Sequence, residues 1–195
     1  MANGDISSFQ TDNIYNLDDQ VKDTLNISPP WQVAKYLNAS KLFLRDSNWD
    51  PDFPTAAKKA EEMYHLEGGA ESQLDGVIAV TPTFIESLLK LTGPITVDGV
   101  TFTSDNFVET LEYQVEQGFY KQGISTAERK EVIGDLASVL MDKLMAVPKE
   151  RWKDLWLTFE KDVEEKQILI FMQDEYLQNL AREQRWTGEV LSSDH

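Results

Sequence analysis

The densest run of groups able to do chemistry is Arg45-Asp46-Ser47-Asn48-Trp49-Asp50-Pro51-Asp52. Oxygen-bearing side chains at 46, 48, 50 and 52 follow the alternate spacing by which a calcium loop wraps a hard cation. The pattern then departs from such a loop: Pro51 stands where the turn needs glycine, and Ala57 where a bidentate Glu would close the shell. Two readings follow. In one, Asp46, Asn48, Asp50 and Asp52 ligate a calcium or magnesium ion. In the other no cofactor is expected: Asp52 and its neighbours cap the helix opening at Pro54, where carboxylates complement the dipole, and pair with Arg45.

Other chemistries are poorly furnished. The chain has no Cys, which removes thiolate metal sites, disulfides and Cys nucleophiles, and its two His cannot build a His-rich centre. Gly68-Gly69 lacks the surroundings of a phosphate loop, and no G-x-S-x-G occurs. His65, just before that glycine pair, reads as a partner for a helix C-terminal dipole. Glu160, Asp162, Glu164 and Glu165 read as a solvated face. Trp152, Trp156 and Phe159 have helical spacing and read as core packing, with a sugar platform as the alternative. With 34 Asp plus Glu against 18 Lys plus Arg in 195 residues, a net charge of −16 argues against nucleic acid, whose phosphates are bound by neutralising cations.

These groups must be positioned by elements that the sequence marks clearly. Pro30, Pro54, Pro82 and Pro148 each stand at a predicted helix start, and Gly68-Gly69 and Gly93 at helix ends. Asp98-Gly99 between Ile95–Val97 and Val100–Phe102 predicts a hairpin. Ser104-Asp105 is expected to open a helix carrying Phe107, Val108, Leu111 and Val115, and Ser125 to Glu128 has capping-box spacing before a longer one. Val77–Val80 and Ile168–Met172 lack polar alternation, as strands covered on both faces do. The expected fold is α/β, a three-layer α/β/α arrangement with a central mixed sheet and helices on both faces. Residues 1–12 read as a loose segment, 13–190 as a single domain and 191–195 as a frayed end.

Three stretches carry a family likeness: Arg45 through Pro54, Asp75-Gly76-Val77-Ile78-Ala79-Val80-Thr81-Pro82, and Leu91-Thr92-Gly93-Pro94-Ile95-Thr96-Val97. They resemble a family of uncharacterised bacterial envelope proteins, domain of unknown function 4012, and the likeness extends through Arg129-Lys130 and Ile168–Met172 to Trp186-Thr187-Gly188. The resemblance implies an extracytoplasmic, envelope-associated protein whose natural full-length form is membrane-anchored outside this chain. It implies no activity. In order of elements the chain is also similar to the LytR-CpsA-Psr phosphotransferases, which transfer glycopolymers from polyprenyl-pyrophosphate carriers and grip the pyrophosphate with several arginines and an Asp. Where they place arginines at a helix end, this chain has Tyr113-Gln114-Val115-Glu116, and Arg129 is the surviving match.

Arg45, Asp46, Asn48 and Arg129 are therefore the ligand-binding candidates. Two functions are in view. One is a non-catalytic, extracytoplasmic cell-envelope domain binding a polymer or protein partner near the 45–52 loop; the other is a glycopolymer phosphotransferase of LytR-CpsA-Psr type.

Overall fold

The computed structural model describes residues 9–114 and 131–191. Its elements run α1 (Ile14–Val21), α2 (Trp31–Tyr36), a 3₁₀ segment (Leu44–Trp49), α3 (Phe53–Leu66), β1 (Gly76–Val80), α4 (Pro82–Thr92), β2 (Ile95–Val97), β3 (Val100–Phe102), α5 (Phe107–Glu112), α6 (Glu131–Met145), a 3₁₀ turn (Lys149–Arg151), α7 (Trp152–Glu164), β4 (Ile168–Met172) and α8 (Glu175–Glu183). They gather into two compact units. Thr81–Asp162 with the residues up to Asn13 form the first, and Ile14–Val80 with the residues from Val163 onward form the second.

Prolines and short polar side chains set the helix starts. Pro30 precedes α2, Pro82 lies in the first turn of α4, and Pro148 precedes the 3₁₀ turn that feeds α7. A first-turn proline forfeits no helical bond, because the N–H it lacks would have had no acceptor there. Asp52 caps α3 and Asp174 caps α8, each carboxylate accepting the backbone N–H three residues on. The expected opening of α5 at Ser104-Asp105 is corrected to Asn106, which holds the N-cap position and whose Oδ1 accepts the Thr103 N–H at 2.7 Å, closing the turn before the helix. Val115 and the Ser125–Glu128 box lie outside the described residues.

In the first unit the predicted hairpin pairs Ile95 with Phe102 and Val97 with Val100. Its turn residues Asp98 and Gly99 both take positive φ, +50° and +76°, the type I′ geometry that matches strand twist. Ile95, Val97 and Phe102 pack one face of the hairpin against Leu88 and Leu89 of α4, Phe107 of α5, and Val132, Leu136 and Leu140 of α6. The Phe102 ring is fully buried and 6.0 Å from that of Phe107. At the C-terminal end of α4, Lys143 donates to the carbonyls of Thr92, Gly93 and Pro94, and Arg151 Nη1 to that of Leu91 at 2.9 Å. Two cations thus meet the negative end of the α4 dipole and satisfy carbonyls that have no helical donor. Asp162 departs from the expected solvated face: it is 1% exposed and accepts from Ser87 Oγ at 3.1 Å, whereas Glu160, Glu164 and Glu165 are exposed.

In the second unit β1 and β4 pair antiparallel from Gly76 opposite Met172 to Val80 opposite Ile168. Val33, Leu42 and Met63 form a separate small core beneath α2 and α3. The mixed helix and strand content expected of an α/β chain is present. The three-layer arrangement is not: among the described residues the strands form two separate two-stranded antiparallel sheets. Ile78 and Val80 are 63% and 50% exposed, so a run expected to be covered on both faces has one of them open. Absence of polar alternation marks a strand able to be buried twice; it does not supply the second layer.

The α4 end-cap yields a stability prediction. Lys143→Met should lower stability by about 1 kcal/mol, the scale of a partly buried cation at a helix C-terminus, while Lys90→Met on the exposed face of α4 should change it little. Chemical denaturation of both variants tests this, and equal stability of Lys143→Met and the parent chain would remove Lys143 from the account.

Candidate functional site

Two constellations stand out, one polar and one apolar. The polar one is built in the second unit around two buried carboxyls. Asp18, on α1, is 1% exposed, and Glu67, immediately after α3, is fully buried. Arg45 Nη1 donates to Asp18 Oδ2 at 2.9 Å, and its guanidinium lies over the rings of Phe43 and Tyr15, with centroids 4.9 and 5.5 Å away. Asp46 Oδ2 is 3.8 Å from Arg45 Nε. Glu67 Oε1 accepts the Leu44 N–H at 2.7 Å, which ties the start of the 3₁₀ segment to the end of α3.

Burial pushes the Glu67 carboxyl up to about 7, and hydrogen bonding to Asp18 and its charge push the same way; the Leu44 N–H and the Arg45 charge oppose them. Asp18 Oδ1 and Glu67 Oε2 are both buried with no N–H or O–H from other described residues reaching them. A proton on Glu67 gives the carboxyl pair one O–H···O bond and satisfies both oxygens. The cluster is thus a buried carboxyl pair with Arg45 as counter-ion. That arrangement holds α1, the 3₁₀ segment and α3 together, with Arg45 Nη1 engaged by Asp18.

The other loop candidates are placed as follows. Asn48 is exposed, at a break in the 3₁₀ segment with φ −91° and ψ 25°. Asp50 Oδ1 accepts the Asp52 N–H at 2.9 Å. Asp52 Oδ2 accepts from Thr55 Oγ1 at 2.6 Å and Thr55 N–H at 3.2 Å, and its Oδ1 accepts the Val190 N–H at 3.0 Å. The Thr55 hydroxyl, followed by the Val190 and Thr55 amides, holds the Asp52 carboxyl below the usual range against some burial. The capping reading of Asp52 is what the structure shows. Among the described residues no three His, Asp or Glu side chains are grouped as they would be around a metal ion. Arg129 and Lys130 lie outside the described residues.

The apolar constellation includes Trp152, Trp156 and Phe159, for which the sequence offers a sugar platform as the alternative to core packing, and it adds residues of two further helices. A groove of about 860 Å³ opens in the first unit, within the size range of ligand pockets. From α4 it takes Phe84, Ile85 and Leu88; from α6, Ala137, Leu140, Met141, Leu144 and Met145; from α7, Trp152, Leu155, Trp156 and Phe159; Phe9 completes the lining. Each set repeats at three or four residues, so each helix turns one stripe into the groove. No charged side chain is among the described residues that line it. Trp152 Nε1 donates to the Val147 carbonyl at 3.2 Å, so the indole turns no unsatisfied polar atom toward a ligand. The reading of Trp152 and Trp156 as core packing is corrected here: they are 58% and 53% exposed, and Met145 is 64% exposed. Helical spacing identifies an apolar stripe; it cannot say whether the neighbouring helices are wide enough to cover it.

The carboxyl pair predicts a pH dependence with a definite sign. A carboxyl whose folded pKa lies above its unfolded value keeps a proton that the unfolded chain has released. Its contribution is therefore fully present below about 4.5 and is lost as pH rises through about 7. Glu67→Gln, which keeps the acceptor for Leu44 and gives Asp18 a permanent donor, should flatten this slope and stabilise the protein at pH 8 by on the order of 2 kcal/mol. Melting curves from pH 5 to 8 decide it; a variant with the same slope as the parent would show that the proton does not reside there.

Compared with known protein families, the chain fits the family model described as protein of unknown function DUF4012 over residues 1–115. No curated protein and no solved structure matches the chain. Since the fit takes in more than half of the 195 residues, the chain belongs to the family of proteins of unknown function DUF4012.

Proposed function

We propose that this protein is a non-catalytic, extracytoplasmic cell-envelope domain that binds the apolar chain of a lipid, acyl or isoprenoid, in the groove between α4, α6 and α7. The observation that carries the reading is the groove itself: large, open to solvent, and lined by described residues none of which is charged. Water held against such a surface is released when a chain of CH₂ or isoprene units replaces it, at roughly 25 cal/mol per Å² of apolar area covered. Met141 and Met145 add unbranched, polarizable side chains that adapt to ligands of varying shape. A lipid-linked envelope polymer would present such a chain, which connects the reading to the polymer partner expected from the family resemblance.

The phosphotransferase alternative asks for more than an apolar slot. It needs cations to hold a pyrophosphate. Arg151, next in sequence to the groove residue Trp152, spends Nη1 on the Leu91 carbonyl, and Arg45 is bound to Asp18. The binding reading requires neither.

Titration with the fluorescent fatty acid cis-parinaric acid tests the proposal. Saturable binding is expected, and Ala137→Phe, which fills the groove from α6 at a partly exposed position, should weaken it by about tenfold or more, equivalent to 1.4 kcal/mol, with an unchanged melting temperature. Absence of saturable binding, or equal affinity in Ala137→Phe, would overturn it.

A further inference from the structure

We infer that the outer edge of β1 is a docking site for a third strand, supplied by an extended, apolar, basic-flanked segment of a partner protein. The inference starts from the hydrogen-bond phase of the β1–β4 pair. Gln173 N–H bonds the Asp75 carbonyl, while Ile170 N–H bonds the Trp186 carbonyl and Met172 N–H bonds Gln178 Oε1, both away from β1. Antiparallel pairs alternate between exchanging both bonds and exchanging neither. With Ile78 opposite Ile170 and Gly76 opposite Met172, it follows that Val77 and Ala79 bond β4. The N–H and C=O groups of Gly76, Ile78 and Val80 therefore point out from the free edge, and among the described residues nothing meets them.

The two edges of this sheet are treated differently. On the β4 side, the Trp186 carbonyl and the buried Gln178 amide take up the outward N–H groups of Ile170 and Met172. On the β1 side, Ile78 and Val80 leave their side chains 63% and 50% exposed beside the unpaired backbone. Gly76–Val80 contains no charge and no proline, the devices by which proteins commonly close an edge to further pairing. Open backbone groups at every second residue, beside apolar side chains on one face, match an extended polypeptide and no other common ligand.

Charge selects the source of that strand. A second copy would bring another −16 and repel at long range. Asp75, immediately before β1, adds negative charge at the start of the strand. A partner strand with alternate apolar residues and Lys or Arg at its ends satisfies the edge, covers Ile78 and Val80, and is drawn in by the field of the chain.

The probe is a blocked peptide, Lys-Lys-Val-Thr-Val-Thr-Val-Lys-Lys, titrated into ¹⁵N-labelled protein. The amides of Gly76, Ile78 and Val80 should shift and exchange with deuterium about tenfold more slowly, a stabilisation of 1.4 kcal/mol, while Val77 and Ala79, already bonded to β4, should change less. Ile78→Glu should abolish the effect although it adds a charge favourable to the peptide; Val80→Glu, at the strand end, is the second variant should the first not fold. The same peptide with proline at its central position should not bind. Shifts scattered over acidic residues, an undiminished response in the Glu variants, binding of the proline peptide, or dimerisation through β1 without peptide would each overturn the proposal.

Discussion

Helices α4, α6 and α7 each carry an apolar stripe wider than the neighbours that pack against it, and much of the first unit follows from that mismatch. One flank of the stripes closes on the hairpin, where Ile95, Val97 and Phe102 complete a buried core. The other flank meets no second sheet or helix among the described residues, and Trp152, Trp156 and Met145 stay half open to solvent. Soluble proteins seldom leave that much contiguous apolar surface without a use. Lys143 and Arg151, by binding the carbonyls that end α4, hold α6 and the start of α7 against that helix end and so fix the walls of the groove.

The second unit answers a different constraint, the burial of charge in a chain with an excess of acids. Two carboxyls are taken fully inside, where Arg45 bonds Asp18 and burial favours the protonated form of Glu67. Removing two ions from water costs several kcal/mol each, whereas an acid–carboxylate pair with a single counter-ion leaves only one negative charge to compensate. The stacking of Arg45 on Phe43 and Tyr15 fixes the guanidinium in place. The start of the loop that the sequence presents as richest in chemical groups thus ties α1 and α3 together through Arg45 and the Leu44 amide.

Local features were legible in the sequence because their causes are local. Proline before α2 and within α4, the Asp98-Gly99 turn and the Asp52 cap each depend on a few neighbouring residues. Features set by distant partners were not. The raised pKa of Glu67 comes first from its burial and then from its bond to Asp18, and buried Asp162 takes its hydrogen bond from Ser87, 75 residues away. A carboxylate in an acidic helix looks the same on paper whether it faces water or a hydroxyl. The groove was hidden for a related reason: periodicity at 152, 155, 156 and 159 reports a stripe, and only the positions of α4 and α6 reveal that it is half covered.

The account is tested most directly by locating a bound chain among the five tryptophans, Trp31, Trp49, Trp152, Trp156 and Trp186. Single-tryptophan variants titrated with a dibrominated stearate, whose bromines quench indole fluorescence only at close range, report which ring the chain touches. Strong, saturable quenching of Trp152 and Trp156, with little at Trp31 despite its 63% exposure, is the result the groove predicts. Equal quenching at every exposed tryptophan, or none at Trp152 and Trp156, would contradict it.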